Sequence, residues 1–174
     1  MEKRNTRRGF TLIELLVVVL IIGILAAVAV PQYQKSIVKS EYAKLKTFAK
    51  SIANAEEVYF LANNSYTPDT QALDVDLPTP TQKQRNNTWA LYKYDWGICE
   101  VFGNNATYGD RIICKHTRTQ IGYELYFSRS LVFPNRKKCI AYNEDLSSAQ
   151  NKICAAETRK SSGYHQDNFY YWIY

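Results

Sequence analysis

The sequence predicts an α+β chain: one long N-terminal helix, apolar along its first half, packed on an antiparallel sheet. Three observations carry this. Phe10 to Val30 is a run of 21 residues whose only ionisable group is Glu14. Apolar residues then recur at helical spacing from Ile37 to Tyr59. Between Trp89 and Tyr142, five short segments rich in aromatic and β-branched residues follow one another closely. The 174 residues leave room for one domain plus an appendage.

The apolar run comes first. As a helix it measures roughly 31 Å, about one hydrocarbon core. The first nine residues hold Lys3, Arg4, Arg7 and Arg8 against Glu2, which is half of the formal charge of +6. Basic residues ahead of a span keep that end in the cytoplasm, so the N-terminus is expected inside and the rest outside. A membrane anchor and a secretory signal both fit this pattern. The signal reading is helped by Ala27-Val28-Ala29, which places its cleavage after Ala29.

Neither of those readings uses Glu14. "RRGFTLIELL" resembles the N-terminus of type IV prepilins and the related pseudopilins. There a basic leader ends in glycine, phenylalanine follows, and a glutamate stands four residues later; Gly9, Phe10 and Glu14 occupy those positions. "GILAAVAVP", from Gly23 to Pro31, is also similar to the family's helix. The resemblance covers about the first 60 residues closely. It implies cleavage by a prepilin peptidase between Gly9 and Phe10, N-methylation of Phe10, and no catalytic role. It also implies a pilin-like fold with a sheet of about four strands.

The same resemblance implies a filament of like subunits, reached from a lipid bilayer through an inner-membrane assembly platform. The chain would be single-pass in the bacterial inner membrane and then part of an extracellular or periplasmic filament. A carboxylate in hydrocarbon costs about 2.5–3.5 kcal/mol even on lenient scales, so it needs a partner. Cleavage would create one, the new amine of Phe10, one helical turn from Glu14 and favoured there by the helix dipole. In the family this glutamate is thought to meet the amine of a neighbouring subunit, a check on register. Gly23 and Pro31 each weaken a helix, and the resemblance implies local loss of helicity between them.

Beyond Pro31 the helix continues. Ile37, Glu41, Leu45, Phe48, Ile52, Ala55 and Tyr59 form one stripe, with Glu56, Glu57 and several lysines assigned to other faces. A helix from Thr11 to about Leu61 would run roughly 75 Å, and Asn63-Asn64 supplies its stop. The chain therefore divides into a leader, 1–9, a transmembrane or core helix, 10–30, an amphipathic continuation, 31–62, and a globular head, 63–174. Residues 63–87 read as loop, and Asp74 with Asp76 lack the glycine and further ligands of a calcium loop. The strand-like segments are Trp89–Tyr94, Gly97–Phe102, Arg111–His116, Gly122–Phe127 and Lys137–Tyr142. Their succession predicts a meander with one face free to cover the helix.

Cys99, Cys114, Cys139 and Cys154 all follow the span, where disulfides are the default. Three connectivities are possible; equal sequential intervals of fourteen residues favour Cys99–Cys114 and Cys139–Cys154. No nucleophile elbow, phosphate loop or metal-spaced histidine pair occurs, so no enzyme, cofactor or metal is expected. His116, near a strand end, reads as a surface side chain. Aromatics of "GYHQDNFYYWIY" near Arg136, Lys137 and Lys138 raise DNA binding as the weaker reading. The favoured one has Phe169, Tyr171 and Ile173 forming a final strand or packing the head. Two alternatives stand beside a pilus subunit: a pseudopilin of a type II secretion system, and a soluble binding module released at Ala29.

Overall fold

The computed structural model describes residues 9–166 and 169–174, so the leader reading for residues 1–8 lies outside the described residues. Helix α1 runs Leu12–Asn63. The chain divides into two units, the second being Ile37–Tyr174. Asn64 stops the helix: its φ of 52° is left-handed, which asparagine tolerates, and its N–H donates to the Phe60 carbonyl at 2.8 Å.

In the second unit a single eight-stranded sheet follows α1, where about four strands were expected. Its strands are β1 (Gln82–Arg85), β2 (Trp89–Lys93), β3 (Gly97–Phe102), β4 (Arg111–His116), β5 (Ile121–Tyr126), β6 (Lys137–Ala141), β7 (Tyr164–Gln166) and β8 (Phe169–Ile173). The order is β1-β2-β3-β4-β5-β6-β8-β7, antiparallel throughout. The five expected segments are β2 to β6. The extra strands are edge strands or C-terminal: β1 is polar and β7 has three exposed residues, so neither shows the alternation that marks a half-buried strand. Between β6 and β7 the chain forms α2 (Ala149–Thr158), whose N-cap Ser148 accepts the Asn151 N–H.

In-register residues Cys99, Cys114, Tyr123, Cys139 and Trp172 form the row that faces the core. Tyr42 meets Tyr123 edge to face, and Phe48 meets Tyr94 the same way. The structure joins Cys99 to Cys114 across β3 and β4, and Cys139 of β6 to Cys154 of α2. On the sheet's other face, Glu124 lies 2.9 Å from Arg111 Nε and 2.7 Å from Lys138 Nζ.

Four further expectations are corrected here. The buried row of α1 is Val38, Tyr42, Leu45, Ala49, Ile52, Ala53 and Glu56; Ile37, Glu41, Phe48, Ala55 and Tyr59 flank it. Glu56 is fully buried rather than on an outer face. His116 is buried, not superficial, because it shares the inward alternation of Ile112 and Cys114. The expected final strand is present as β8, but the residue it turns inward is Trp172 rather than Phe169, Tyr171 and Ile173, and its indole N–H donates to Asn151 Oδ1 at 3.1 Å.

Candidate functional site

The N-terminal segment is built from a helix start. Gly9 and Phe10 precede α1 and are exposed. Thr11 is the residue before the first helical one, and Glu14 stands three residues after it. The Thr11 N–H and hydroxyl both donate to Glu14 Oε2, at 2.8 and 2.7 Å, and the Glu14 N–H donates back to Thr11 Oγ1 at 3.2 Å. This is a capping box, which satisfies two backbone donors that a helix start leaves without partners. Thr11 was not singled out from sequence, although the Thr-x-x-Glu spacing was the signal that could have found it. Both donors use Oε2; among the described residues Oε1 accepts no hydrogen bond, so it is open to a further donor.

From Leu12 to Val30 the side chains are exposed, and α1 is long and apolar enough to cross a membrane. Gly23 has open space around its Cα, and Pro31 lies inside the helix. Proline there leaves the Ala27 carbonyl without its usual helical donor. The carboxylate at the helix start and the two weak points thus lie on one uninterrupted element.

The remaining candidates belong to the head. Glu56 Oε2 accepts the Thr67 N–H at 3.1 Å, while Oε1 has no partner. Burial, with Asp110 and Glu57 close by, pushes its carboxyl up to about 8. Gly103 explains how the β3–β4 turn comes so near: a Cβ there would stand 2.5 Å from the Thr67 carbonyl carbon. Glu57 accepts from the Tyr66 hydroxyl (2.9 Å), the Ser128 N–H (2.8 Å) and the Ser128 hydroxyl (2.5 Å), tying helix, following loop and sheet together. His116 Nε2 lies 3.4 Å from Glu41, its Nδ1 accepts the Thr119 N–H, and burial holds its pKa below the ordinary value. Among the described residues no cluster of three His, Cys, Asp or Glu side chains offers a metal site. The four cysteines form two staples and do not gather into one cluster.

A capped apolar helix with one carboxylate at its start is followed along the chain by a disulfide-stapled α+β head. Residues 4–30 match the family model described as the prokaryotic N-terminal methylation motif. The chain is 38% identical over 87 residues to type II secretion system core protein G of Pseudomonas aeruginosa, covering 50% of this chain and 61% of that protein. It is 45% identical over 60 residues to the type IV major pilin protein PilA of Myxococcus xanthus, covering 34% of this chain and 27% of that one. Against the type IV major fimbrial protein FimA of Dichelobacter nodosus it is 45% identical over 58 residues, covering 33% and 37%. The matches thus span less than two thirds of these relatives. No solved structure matches the chain. The chain carries the methylation motif, and its relatives are pilins and secretion-system core proteins.

Proposed function

We propose that this chain is a structural subunit of a type IV pilus or pilus-like filament and has no catalytic activity of its own. It is made as a membrane precursor with its N-terminus in the cytoplasm. Prepilin peptidase cleaves it between Gly9 and Phe10 and methylates Phe10. The segment 10–30 then passes from lipid into a core of like helices, and the head from residue 63 onward forms the coat. The observation that carries this reading is a capped, exposed apolar helix start that falls inside a methylation motif, with one carboxylate oxygen of Glu14 open. The capping box already steadies Glu14 within its own chain. Its remaining oxygen then serves the Phe10 amine of a neighbour, and a wrong register leaves two charges unpaired in a low dielectric. Gly23 and Pro31 provide the points at which the packed helix yields.

A second reading, a pseudopilin of a type II secretion system, is favoured by one observation. The match to core protein G extends over 87 residues, longer than the 60 and 58 of the pilins. Deleting the gene separates them: a pilus subunit removes surface fibres, a pseudopilin blocks release of secreted proteins. Mass spectrometry of the mature N-terminus tests the shared part. A chain beginning at methylated Phe10 is expected; one beginning at Val30, after cleavage at Ala29, would refute it.

A further inference from the structure

Two surfaces of opposite charge flank α1 within the head. On one flank Lys46, Lys50 and Asn54 of α1 and Lys137 of β6 rim a cleft of about 410 Å³, with Tyr123 and Phe127 in its wall. Lys46 is paired with Glu157 at 2.5 Å, but among the described residues Lys50 and Lys137 have no acidic partner. The acidic side chain in the wall, Glu57, is engaged by Tyr66 and Ser128. Those partners are neutral and leave the Glu57 charge in place, so Lys50 and Lys137 against Glu57 give the cleft a net positive charge over an aromatic wall.

The other flank carries the reverse. The segment 74–78 reads Asp-Val-Asp-Leu-Pro and lies beside α1 at Phe48 and Ser51. Asp74 and Asp76 are exposed and, among the described residues, have no cationic partner, since the lysines that border the segment, Lys44 and Lys83, are paired with Glu41 and Asp69; Val75 and Leu77 are half-buried. At 100° per residue, Lys46, Lys50 and Asn54 lie about 115° to one side of the buried row of α1, and Lys44, Phe48 and Ser51 about 120° to the other. The acidic segment borders Tyr92 and Tyr94, next to β2, whereas the cleft opens over β5 and β6. Three strand spacings put these about 14 Å apart. The two surfaces cannot meet within one chain.

We propose that the lysine-rimmed cleft receives the Asp74–Pro78 segment of a second copy of this chain, with Asp74 and Asp76 facing Lys50 and Lys137. Because the two patches differ and lie on opposite flanks, the contact is head to tail. Such a contact does not close on a pair; it repeats into a helical array. It gives the coat a lateral bond independent of the apolar helix and orients each incoming head before its helix is seated. This contact rests on the filament reading.

The test uses the full-length chain in fibres sheared from cells. The native cysteines of the described residues are all bonded, so Asp76→Cys with Lys137→Cys adds the only reactive pair there. Oxidation is expected to give a ladder of dimers, trimers and longer species, and each single variant is expected to stay monomeric. Lys50→Glu with Lys137→Glu is expected to lower fibre yield about tenfold, and adding Asp74→Lys with Asp76→Lys to restore it. Double-cysteine fibres that remain monomeric overturn the contact and leave the filament reading standing; so does a compensated chain no better than the charge-reversed one. An unsubstituted chain that forms no fibres at all removes both.

Discussion

Glu56→Gln isolates the one fully buried carboxyl of α1. In the folded head its pKa rises from the ordinary 4.5 to about 8, chiefly through burial, which the Thr67 N–H offsets only in part. An acid with a raised folded pKa holds its proton longer folded than unfolded. Its contribution is therefore fully present below about 4.5, falls as pH climbs, and levels off above about 8. At 1.36 kcal/mol per pH unit, the loss reaches about 3 kcal/mol at pH 7 and about 5 kcal/mol at the plateau. Glutamine keeps the shape and an acceptor for the Thr67 N–H but cannot ionise. The variant is expected to match the parent near pH 4 and to exceed it by about 3 kcal/mol at pH 7. Urea unfolding of the full-length chain in detergent reads this through Trp89, Trp96 and Trp172, all in the head. At typical urea sensitivities the midpoint should rise by about 1–3 M. Asp110 is also raised by burial, so the slope should flatten without vanishing. A glutamine variant whose midpoint runs parallel to the parent from pH 5 to 8 would refute the reasoning.

Other perturbations follow from the same geometry. Thr11→Val removes the reciprocal cap and should cost the start of α1 about 1 kcal/mol, seen as faster amide exchange over the first turn in detergent. Glu14→Val removes both the cap and the open oxygen, so normal fibre yield from it would sink the register role. Cys139→Ser with Cys154→Ser should lower unfolding stability by about 3 kcal/mol, the chain-entropy value for a loop of this size, and added reductant should lower the variant further by opening the remaining Cys99–Cys114 bridge. Asn151→Ala strands the Trp172 indole N–H and two carbonyls, of Asn143 and Asp145, that Asn151 now satisfies. A loss of about 3 kcal/mol is expected in the same urea assay. His116, held low by burial, makes the head lose stability as pH falls below the ordinary 6.5; His116→Gln should flatten that acidic limb.

Periodicity made the long helix and the five central strands legible, because each buries one side of a regular pattern. β3 and β4 begin and end where the sequence placed them, Gly97 to Phe102 and Arg111 to His116. What it hid were residues whose burial depends on a distant partner. Glu56 counts as charged surface until Gly103 brings the β3–β4 turn onto Thr67. His116 looked superficial because its type outweighed its place in the alternation of Ile112 and Cys114. Helix α2 is too polar to announce itself, and relies on the Ser148 cap and on Cys154 to hold it to the sheet. At the N-terminus the glycine-phenylalanine junction and Glu14 were plain. The threonine that holds Glu14 in place is marked only by the Thr-x-x-Glu spacing of a helix start, a weaker signal than a lone carboxylate in an apolar run.

The consecutive pairing of the cysteines bears on how the head matures. Each bridge joins a cysteine to the next one in the chain, Cys99 to Cys114 and Cys139 to Cys154. A chain threaded through a membrane from its N-terminal side presents both members of the first bridge before either member of the second. Oxidation in order of appearance therefore yields the native pairs, and a simple thiol oxidant suffices where crossed pairs would need reshuffling, a step that takes seconds to hours. β3 and β4 are antiparallel neighbours that place Cys99 opposite Cys114, so the first bridge needs only its own hairpin. A cell lacking its disulfide isomerase but keeping its oxidant should still deliver this head correctly bonded.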